Sequence, residues 1–172
     1  MTRWKSFNHR GDYTENLIDE VNALYDRQEL ALVTKVPVPI KVIEIGDGII
    51  NKAFFEKKST VDYIGMCQGF GLCFDVKETN QKYLPLKNIH EHQIVYMNTF
   101  QKQGGCAFII CHFKITGGFH LIPLELLNYY WYDSPRQSIP LDVMEEKGYL
   151  IPMEQGLPNY LSAVNTYISS KK

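Results

Sequence analysis

The chain of 172 residues carries a formal net charge of −1, with 45% hydrophobic and 22% charged residues. These values are typical of a soluble globular protein, and the length allows one domain with a real core but not two. No apolar run approaches the ~20 residues of a membrane span, and no apolar signal region opens the chain. We therefore expect a cytoplasmic protein with no membrane partner.

The cysteines argue for a reducing compartment. They lie in strand-like or turn segments without the close CxxC pairs of zinc modules. Buried thiols are therefore predicted rather than a metal site or disulfides. The residues concerned are Cys67, Cys73, Cys106 and Cys111.

Charge is unevenly distributed along the chain, although its near-neutral sum gives no support to nucleic-acid binding. The first ten residues hold Arg3, Lys5 and Arg10 without an acid, and we predict a flexible basic arm over 1–10 and a single domain over 11–172. The segment 35–58 holds five lysines against three acids, whereas 142–154 is acidic. One end of the molecule can then face phosphates, although plain solvated charge explains the same pattern.

Apolar residues recur at helical spacing after Gly11, which predicts an amphipathic first helix, and a strand is expected over 30–36. The following segment, 37–52, is partly β-prone but is interrupted by two prolines and by Gly46-Asp47-Gly48. It is predicted to be a projecting hairpin or a mobile loop.

Phe54 and Phe55 follow this segment and are flanked by lysines. Aromatic rings interleaved with lysines suit stacking on unpaired bases with neighbouring phosphate contacts. Packing of one or both rings in the core is the alternative. The flanking lysines are Lys52, Lys57 and Lys58.

The second half of the chain predicts a mixed sheet with helices packed on it, an α/β domain. A helix introduced by Pro85 and Asn88 carries the inward stripe Ile89, Gln93, Tyr96, Met97 and Phe100, in which Gln93 is the polar exception. That glutamine must either satisfy local backbone or point into a site. The remaining expected elements are a central strand over 106–112, a strand over 119–122, and helices near 124–132, 140–148 and 160–168.

Two acids and a lysine carry the chemistry. In 72–77 apolar residues alternate with Cys73, Asp75 and Lys77, so Asp75 and Lys77 share one face of a half-buried strand. Thr60 and Asp62 are also two apart, and the glycines between the segments indicate a hairpin-like connection. The carboxylates of Asp62 and Asp75 could then hold Mg²⁺, with neutral oxygens from Thr60 and Gln93, while Lys77 stabilises charge developing on a phosphate.

Each of these signals has an ordinary alternative. An isolated Asp-x-Lys on a strand is usually a solvent-facing pair. Glu15 could reach the metal as an additional ligand, but 12–15 also resembles a capping box. His90 and His92 invite a metal or general-base role, yet their spacing on a helix would turn them to different faces and favours surface histidines.

From Gly11 to the final helix the sequence resembles the RecU-type Holliday-junction resolvases, which are PD-(D/E)xK nucleases of the restriction-endonuclease-like fold. Three stretches carry the resemblance, and together they are far more specific than the bare nuclease motif. They are Phe-Phe-Glu-Lys-Lys-Ser-Thr-Val-Asp-Tyr at 54–63, Phe-Asp-Val-Lys-Glu-Thr at 74–79 and Leu-Pro-Leu-Lys-Asn-Ile-His-Glu-His-Gln at 84–93.

The resemblance implies magnesium ligands at Thr60, Asp62, Asp75 and Gln93, and a transition-state stabiliser at Lys77. It implies that 37–52 is a stalk entering the centre of the junction, with Phe54 and Phe55 at its base. Two residues depart from the family pattern: Asp75 stands where Glu is usual, and Val61 where a hydroxyl residue is common. The residues expected to contact DNA are Arg3, Lys5, Arg10, Lys35, Lys41, Lys52, Phe54, Phe55, Lys57 and Lys58.

These implications together predict a crossover junction endonuclease of recombination and DNA repair. A four-way junction is two-fold symmetric, so a homodimer supplies the two sites for paired nicks that leave 5′-phosphate ends. Mg²⁺ is the expected cofactor with Mn²⁺ as a substitute, and a recombinase and branch-migration proteins are expected partners. The alternatives are a related nuclease acting on another DNA, and a catalytically silent junction-binding protein.

Overall fold

A computed structural model describes residues 12–46, 49–55 and 60–171, apart from the side chains of Asp12, Ile49 and Phe55. The predicted basic arm over 1–10 lies outside the described residues, as do Lys57 and Lys58. Within the described ranges, no helix is long and apolar enough to span a membrane.

A six-stranded mixed sheet organises the chain, in the order β1-β4-β5-β7-β8-β10. Its strands are β1 (Leu32–Lys35), β4 (Tyr63–Cys67), β5 (Phe70–Thr79), β7 (Cys106–Phe113), β8 (Gly118–Pro123) and β10 (Tyr149–Ile151). β5 and β7 run parallel, whereas the other neighbouring strands of this sheet are antiparallel. The predicted mixed sheet flanked by helices is therefore confirmed.

Helices cover both faces of the sheet. They are α1 (Asp12–Arg27), α2 (Glu91–Lys102), α3 (Leu124–Asn128), α4 (Leu141–Lys147) and α5 (Tyr160–Ser169). α1 and α5 pack on the face that carries Leu72, Phe74 and Val76, while α2, α3 and α4 enclose a second apolar cluster on the other face. All residues of β7 are buried, as predicted for a central strand, because it lies between the two clusters.

The start of α1 is tied to the end of β5 by a polar cluster. Thr14 donates its hydroxyl hydrogen to Glu78 Oε2 at 2.8 Å, and Thr14 Oγ1 lies 2.9 Å from His112 Nδ1. Lys114 pairs with the other oxygen of Glu78. Since Glu78 follows Lys77 directly, this cluster fixes α1 against the strand that carries the candidate catalytic residues.

The segment predicted to be a stalk forms a hairpin with a sheet of its own, made of β2 (Ile40–Gly46) and β3 (Ile49–Phe55). Apolar side chains along it are exposed, with Ile45 at 66%. Val42, Glu44 and Ile45 lie at shifts in the strand register. The second strand ends at Phe55 rather than at Lys52, so the hairpin is longer than the predicted range.

Several boundaries differ from the predicted ones. β1 is shorter than 30–36, and Leu86–Asn88 forms a 3₁₀ turn, so that Ile89 precedes α2 instead of lying on its stripe. The predicted aromatic helix is α3 followed by a π-helical turn over Tyr129–Asp133. Short strands that the sequence did not indicate are β6 (Tyr83–Pro85), β9 (Ser138–Pro140), β10 (Tyr149–Ile151), β11 (Met153–Glu154) and β12 (Leu157–Pro158).

The prediction of buried thiols is confirmed, because Cys67, Cys73, Cys106 and Cys111 are buried and free. Burial raises the pKa of the Cys106 thiol to about 12, so it stays protonated at neutral pH.

Gly65 in β4 provides the first testable prediction. A Cβ added there would lie 2.3 Å from the carbonyl oxygen of Leu32 and 2.7 Å from Val33, and backbone atoms cannot move aside. We expect Gly65→Ala to lower the free energy of unfolding by about 3 kcal/mol, the upper end for overpacking. Urea denaturation measures this change.

Gly69→Ala is the matched control, because open space surrounds Gly69 but its φ is +90°. An alanine there has no steric clash but must adopt a positive φ, so we expect it to lower the free energy of unfolding by about 1 kcal/mol. Equal losses at both positions would contradict close packing of β1 on β4.

Candidate active site

Asp62 and Asp75 lie opposite each other where β4 meets β5. Tyr63 pairs with Phe74, so Asp62, one residue earlier, faces Asp75 across the hairpin. The Asp62 backbone N–H donates to Asp75 Oδ1 at 3.0 Å, and the Val76 backbone N–H donates to Asp62 Oδ2 at 2.8 Å. Each strand thus holds the other strand's carboxylate, which brings the two acids together as the sequence predicted.

Lys77 lies beside this pair on the same face of β5. Asp75 is fully buried, and the Lys77 ammonium contacts its Oδ2. No other described donor reaches that oxygen, so the ammonium is the group that offsets its charge. The pair is not the solvent-facing Asp-x-Lys of the alternative interpretation, because both side chains are largely withdrawn from water.

Gln93 reaches the same carboxylate from α2. Its Nε2 donates to Asp75 Oδ1 at 2.9 Å, and its Oε1 accepts the backbone N–H of His90 at 3.0 Å. If the amide were reversed, its N–H groups would face the His90 backbone N–H, and its oxygen would face the Asp75 carboxylate. Each lost buried hydrogen bond costs roughly 1–3 kcal/mol, so the orientation is fixed. Both sequence alternatives for Gln93 hold at once: it satisfies local backbone and it points into the site.

Electrostatics of the acid pair favour a bound cation. Burial, and after it repulsion from Asp75, raise the pKa of Asp62 from its usual value of 3.8 to about 6. The Val76 N–H and the Lys77 ammonium oppose this rise. Two buried carboxylates that repel each other gain from a cation placed between them.

The donor set fits a hard divalent cation. In the described part of the chain, no three His, Cys, Asp or Glu side chains cluster as a metal site. Mg²⁺ commonly uses only one or two carboxylates and keeps several waters, so an acid pair suffices for it. Asp75 Oδ2, which contacts only the Lys77 ammonium among the described groups, is the oxygen that such an ion would take over.

Thr60 and Glu15 are less directly connected to the pair. Thr60 is half-buried in the bend that leads into β4. Glu15 lies on α1 and pairs with Lys35 at 2.7 Å. Its backbone carbonyl accepts a long 3.4 Å hydrogen bond from the Tyr63 hydroxyl. The capping alternative involves the Asp12 side chain, which lies outside the described residues, and the ligand role of Glu15 stays a prediction.

Some of the predicted DNA contacts lie on the hairpin. Lys41 and Lys52 are exposed, and Lys41 is the cross-strand partner of Phe54. The Phe54 ring is 48% exposed, which excludes core packing for it. Lys35 is exposed but forms ion pairs with Glu15 and Asp19. The other predicted contacts, Arg3, Lys5, Arg10, Lys57, Lys58 and the Phe55 side chain, lie outside the described residues.

The prediction that His90 and His92 face different directions was wrong. His90 precedes α2 as its N-terminal cap, so helical spacing does not apply, and the two rings stack with centroids 5.4 Å apart. The His90 backbone N–H, which fixes the Gln93 amide, was also not foreseen. The sequence signal for this hydrogen bond is the capping-box spacing, in which a Gln or Glu lies three residues after the residue that caps a helix.

Tyr63 and Asp19 were also missed. Tyr63 is fully buried, and its hydroxyl donates to Asp19 Oδ1 at 2.6 Å, which links α1 to the strand that follows Asp62. The position of Tyr63 directly after Asp62 is the sequence signal for a role near the site, but the sequence does not indicate that its hydroxyl contacts Asp19.

An acid faces a second acid across a hairpin, with a lysine two residues farther along the second strand, which is the arrangement of a metal-dependent nuclease that the sequence predicted. The family model described as RecU, Recombination protein U, matches residues 9–166. The chain belongs to this family.

Three relatives carry the name Holliday junction resolvase RecU. The Staphylococcus aureus protein is 34% identical over 169 residues, covering 92% of this chain and 81% of its own length. The Streptococcus gordonii protein is 36% identical over 152 residues, covering 84% and 76%. The Streptococcus pneumoniae serotype 19F protein is 36% identical over 158 residues, covering 88% and 80%.

Among solved structures, the chain is similar to Archaeoglobus fulgidus Hjc, described as a Holliday junction resolvase from an archaeal hyperthermophile. The TM-score is 0.49 with 12% sequence identity, and the match covers 87% of this chain and 98% of that one.

The raised pKa of Asp62 predicts the effect of Asp62→Asn on the metal-free protein. Because the folded form holds the proton more tightly than the unfolded chain, this carboxyl costs nothing below pH ~4, and its cost is complete above pH ~6. An amide keeps the acceptor for Val76 and removes the repulsion. We expect the variant to be about 1–3 kcal/mol more stable at pH 7.5 without metal.

Thermal unfolding at pH 7.5 and pH 4 in a chelator measures this difference. The gain at pH 7.5 should raise the melting temperature by at least ~2 °C and should largely disappear at pH 4. A destabilised variant at pH 7.5 would contradict the electrostatic account of the pair.

Proposed function

We propose that the protein is a Mg²⁺-dependent endonuclease that resolves Holliday junctions by paired nicks in opposed strands, in recombination and DNA repair. The observation that carries this proposal is the pair of facing carboxylates. Asp75 accepts the Asp62 backbone N–H, Asp62 accepts the Val76 backbone N–H, and the Lys77 ammonium lies at the second oxygen of Asp75. Membership of the RecU family and the names of the relatives support the choice of substrate.

Asp62 and Asp75 would hold the metal, with Thr60 as a neutral oxygen at the entrance to β4. When bound, Mg²⁺ polarises the phosphate and activates water; Mn²⁺ has the same preference for oxygen ligands. Asp75 Oδ1 is already committed to the Asp62 and Gln93 donors. Its Oδ2 is therefore the atom that this shorter acid offers in place of the usual glutamate.

Lys77 would act on the scissile phosphate. In the metal-free site its ammonium neutralises the acid pair, and a cation between the carboxylates would release it for the substrate. An ammonium held close to the reacting centre stabilises the negative charge that builds up during phosphodiester cleavage. Hydrolysis then leaves a 5′-phosphate on one fragment.

The hairpin would recognise the junction rather than the sequence of its arms. Its exposed apolar and basic side chains suit a branch point, where unpaired bases and closely spaced phosphates meet. A homodimer would place two sites on strands of like polarity, as the symmetry of the junction requires. A recombinase, a branch-migration complex and a cytoplasmic location belong to the same proposal.

The test of this function is cleavage of a synthetic four-way junction compared with a linear duplex of the same sequence, with and without Mg²⁺. We expect paired nicks in the four-way junction but not in the duplex, and only when Mg²⁺ is present. Cleavage of both substrates would favour a nuclease with another DNA target. Tight junction binding without any cleavage would leave only the silent junction-binding alternative.

Lys77→Met separates catalysis from binding. Loss of charge stabilisation should reduce the cleavage rate by about a hundredfold, or ~3 kcal/mol of activation free energy, with junction affinity nearly unchanged. Single-turnover cleavage and a gel-shift assay measure the two quantities. Lys102→Met, an exposed lysine at the end of α2, is the matched control. Equal loss of binding and cleavage in Lys77→Met would argue against the assigned role.

The hairpin lysines should contribute through phosphates. We expect Lys41→Ala and Lys52→Ala each to reduce the slope of log affinity against log salt concentration by about 1 unit on junction DNA. Lys147→Ala, in the acidic segment, should leave the slope unchanged. Fluorescence anisotropy across a salt series measures it, and an unchanged slope in both hairpin variants would remove the hairpin from the DNA-binding surface.

A further inference from the structure

We propose that Gln93 is a positioning residue for Asp75 and not a metal ligand, whether or not the metal is bound. The inference rests on the metal site of the proposed function and departs from the ligand set that the family resemblance implies. It is carried by hydrogen bonds that occupy both ends of one buried amide.

The first observation concerns the oxygen of Gln93. Oε1 accepts the His90 backbone N–H at 3.0 Å, and that N–H lies just ahead of α2, where no helical carbonyl can receive it. A Gln93 oxygen turned towards a metal would leave this donor without its acceptor. The oxygen therefore caps a helix, while the nitrogen is the end of the amide that faces Asp75, so coordination would require the amide to turn and to lose both hydrogen bonds.

The second observation concerns the nitrogen of Gln93. Nε2 donates to Asp75 Oδ1, which also accepts the Asp62 backbone N–H. Donors from two different elements prevent the buried carboxylate from rotating about its χ2 angle. Its other oxygen is then held towards Lys77.

The combination demands a side chain with a donor and an acceptor at the same reach. Glutamine has both, an ionised glutamate has only acceptors, and methionine of similar shape has neither of comparable strength. The α2 helix forms the connection between the parallel strands β5 and β7. Through Gln93, the position of this helix sets the position of the Asp75 carboxylate on β5.

Amide hydrogen exchange at His90, resolved by NMR, tests the role without any DNA. In the wild-type protein we expect the His90 amide to exchange slowly both without metal and at a Mg²⁺ concentration that saturates binding in calorimetry. In Gln93→Met it should exchange at least ~10-fold faster, because the acceptor is gone. Gln103→Met, at the exposed C-terminal end of α2, is the matched control and should behave as wild type. Fast exchange in the wild-type protein upon Mg²⁺ saturation would overturn the proposal.

Gln93→Glu supplies the second measurement. It keeps an acceptor for His90 and offers a stronger metal ligand, but it has no donor for Asp75. A positioning role predicts slow His90 exchange together with a cleavage rate about 10–100-fold below wild type at saturating Mg²⁺. Wild-type cleavage by Gln93→Glu, or recovery of Gln93→Met in excess Mg²⁺, would instead show a ligand.

The two proposals fail separately. A protein that never cuts junctions loses the proposed function, while His90 exchange still decides what the Gln93 oxygen contacts. A protein that cuts junctions but shows fast His90 exchange with Mg²⁺ keeps its function and loses the positioning role.

Discussion

Two backbone N–H groups hold the acid pair together, and the rest of the site depends on this exchange. Asp62 gives its amide hydrogen to Asp75 and its carboxylate receives one from Val76, so neither carboxylate can move without losing a hydrogen bond to the backbone of the facing segment. Backbone donors are a strong choice here because they cannot change rotamer. Burial raises the pKa of Asp62 most, and the repulsion from Asp75 that adds to it persists because these hydrogen bonds hold the two carboxylates in place.

This arrangement lowers the stability of the metal-free protein. Two acids and a lysine withdrawn from water cost the metal-free fold free energy, and the surrounding core supplies the compensation. Tyr63, Phe74 and Phe108 stack behind the strands with centroids 5.0 Å apart. The polar cluster of Thr14, Glu78 and His112 fixes the neighbouring end of β5. The buried charges of the site thus lie between the aromatic stack and the polar cluster, both of which are well packed.

Sequence patterns predicted those features that depend on neighbours in the chain. Alternation along 72–77 placed Asp75 and Lys77 on one face, and glycines in the intervening segment indicated the return that brings Asp62 back. The contact of Gln93 with Asp75 spans 18 positions, and the ends of its amide are assigned only by the groups that surround them. The short strands β6 and β9 to β12 were missed because two or three residues carry no periodic signal. The stacked histidines were misjudged because the start of α2 was placed too early.

The β2–β3 hairpin has a consequence for how such proteins can diverge. It forms a two-stranded sheet separate from the one that carries the acids, so residues can be inserted or lost near its tip without shifting Asp62, Asp75 or Lys77. The length of the hairpin and the geometry of the acid pair can therefore change independently in this architecture. Lineages that lengthen, shorten or change the surface of this hairpin can inherit the same acid pair and lysine.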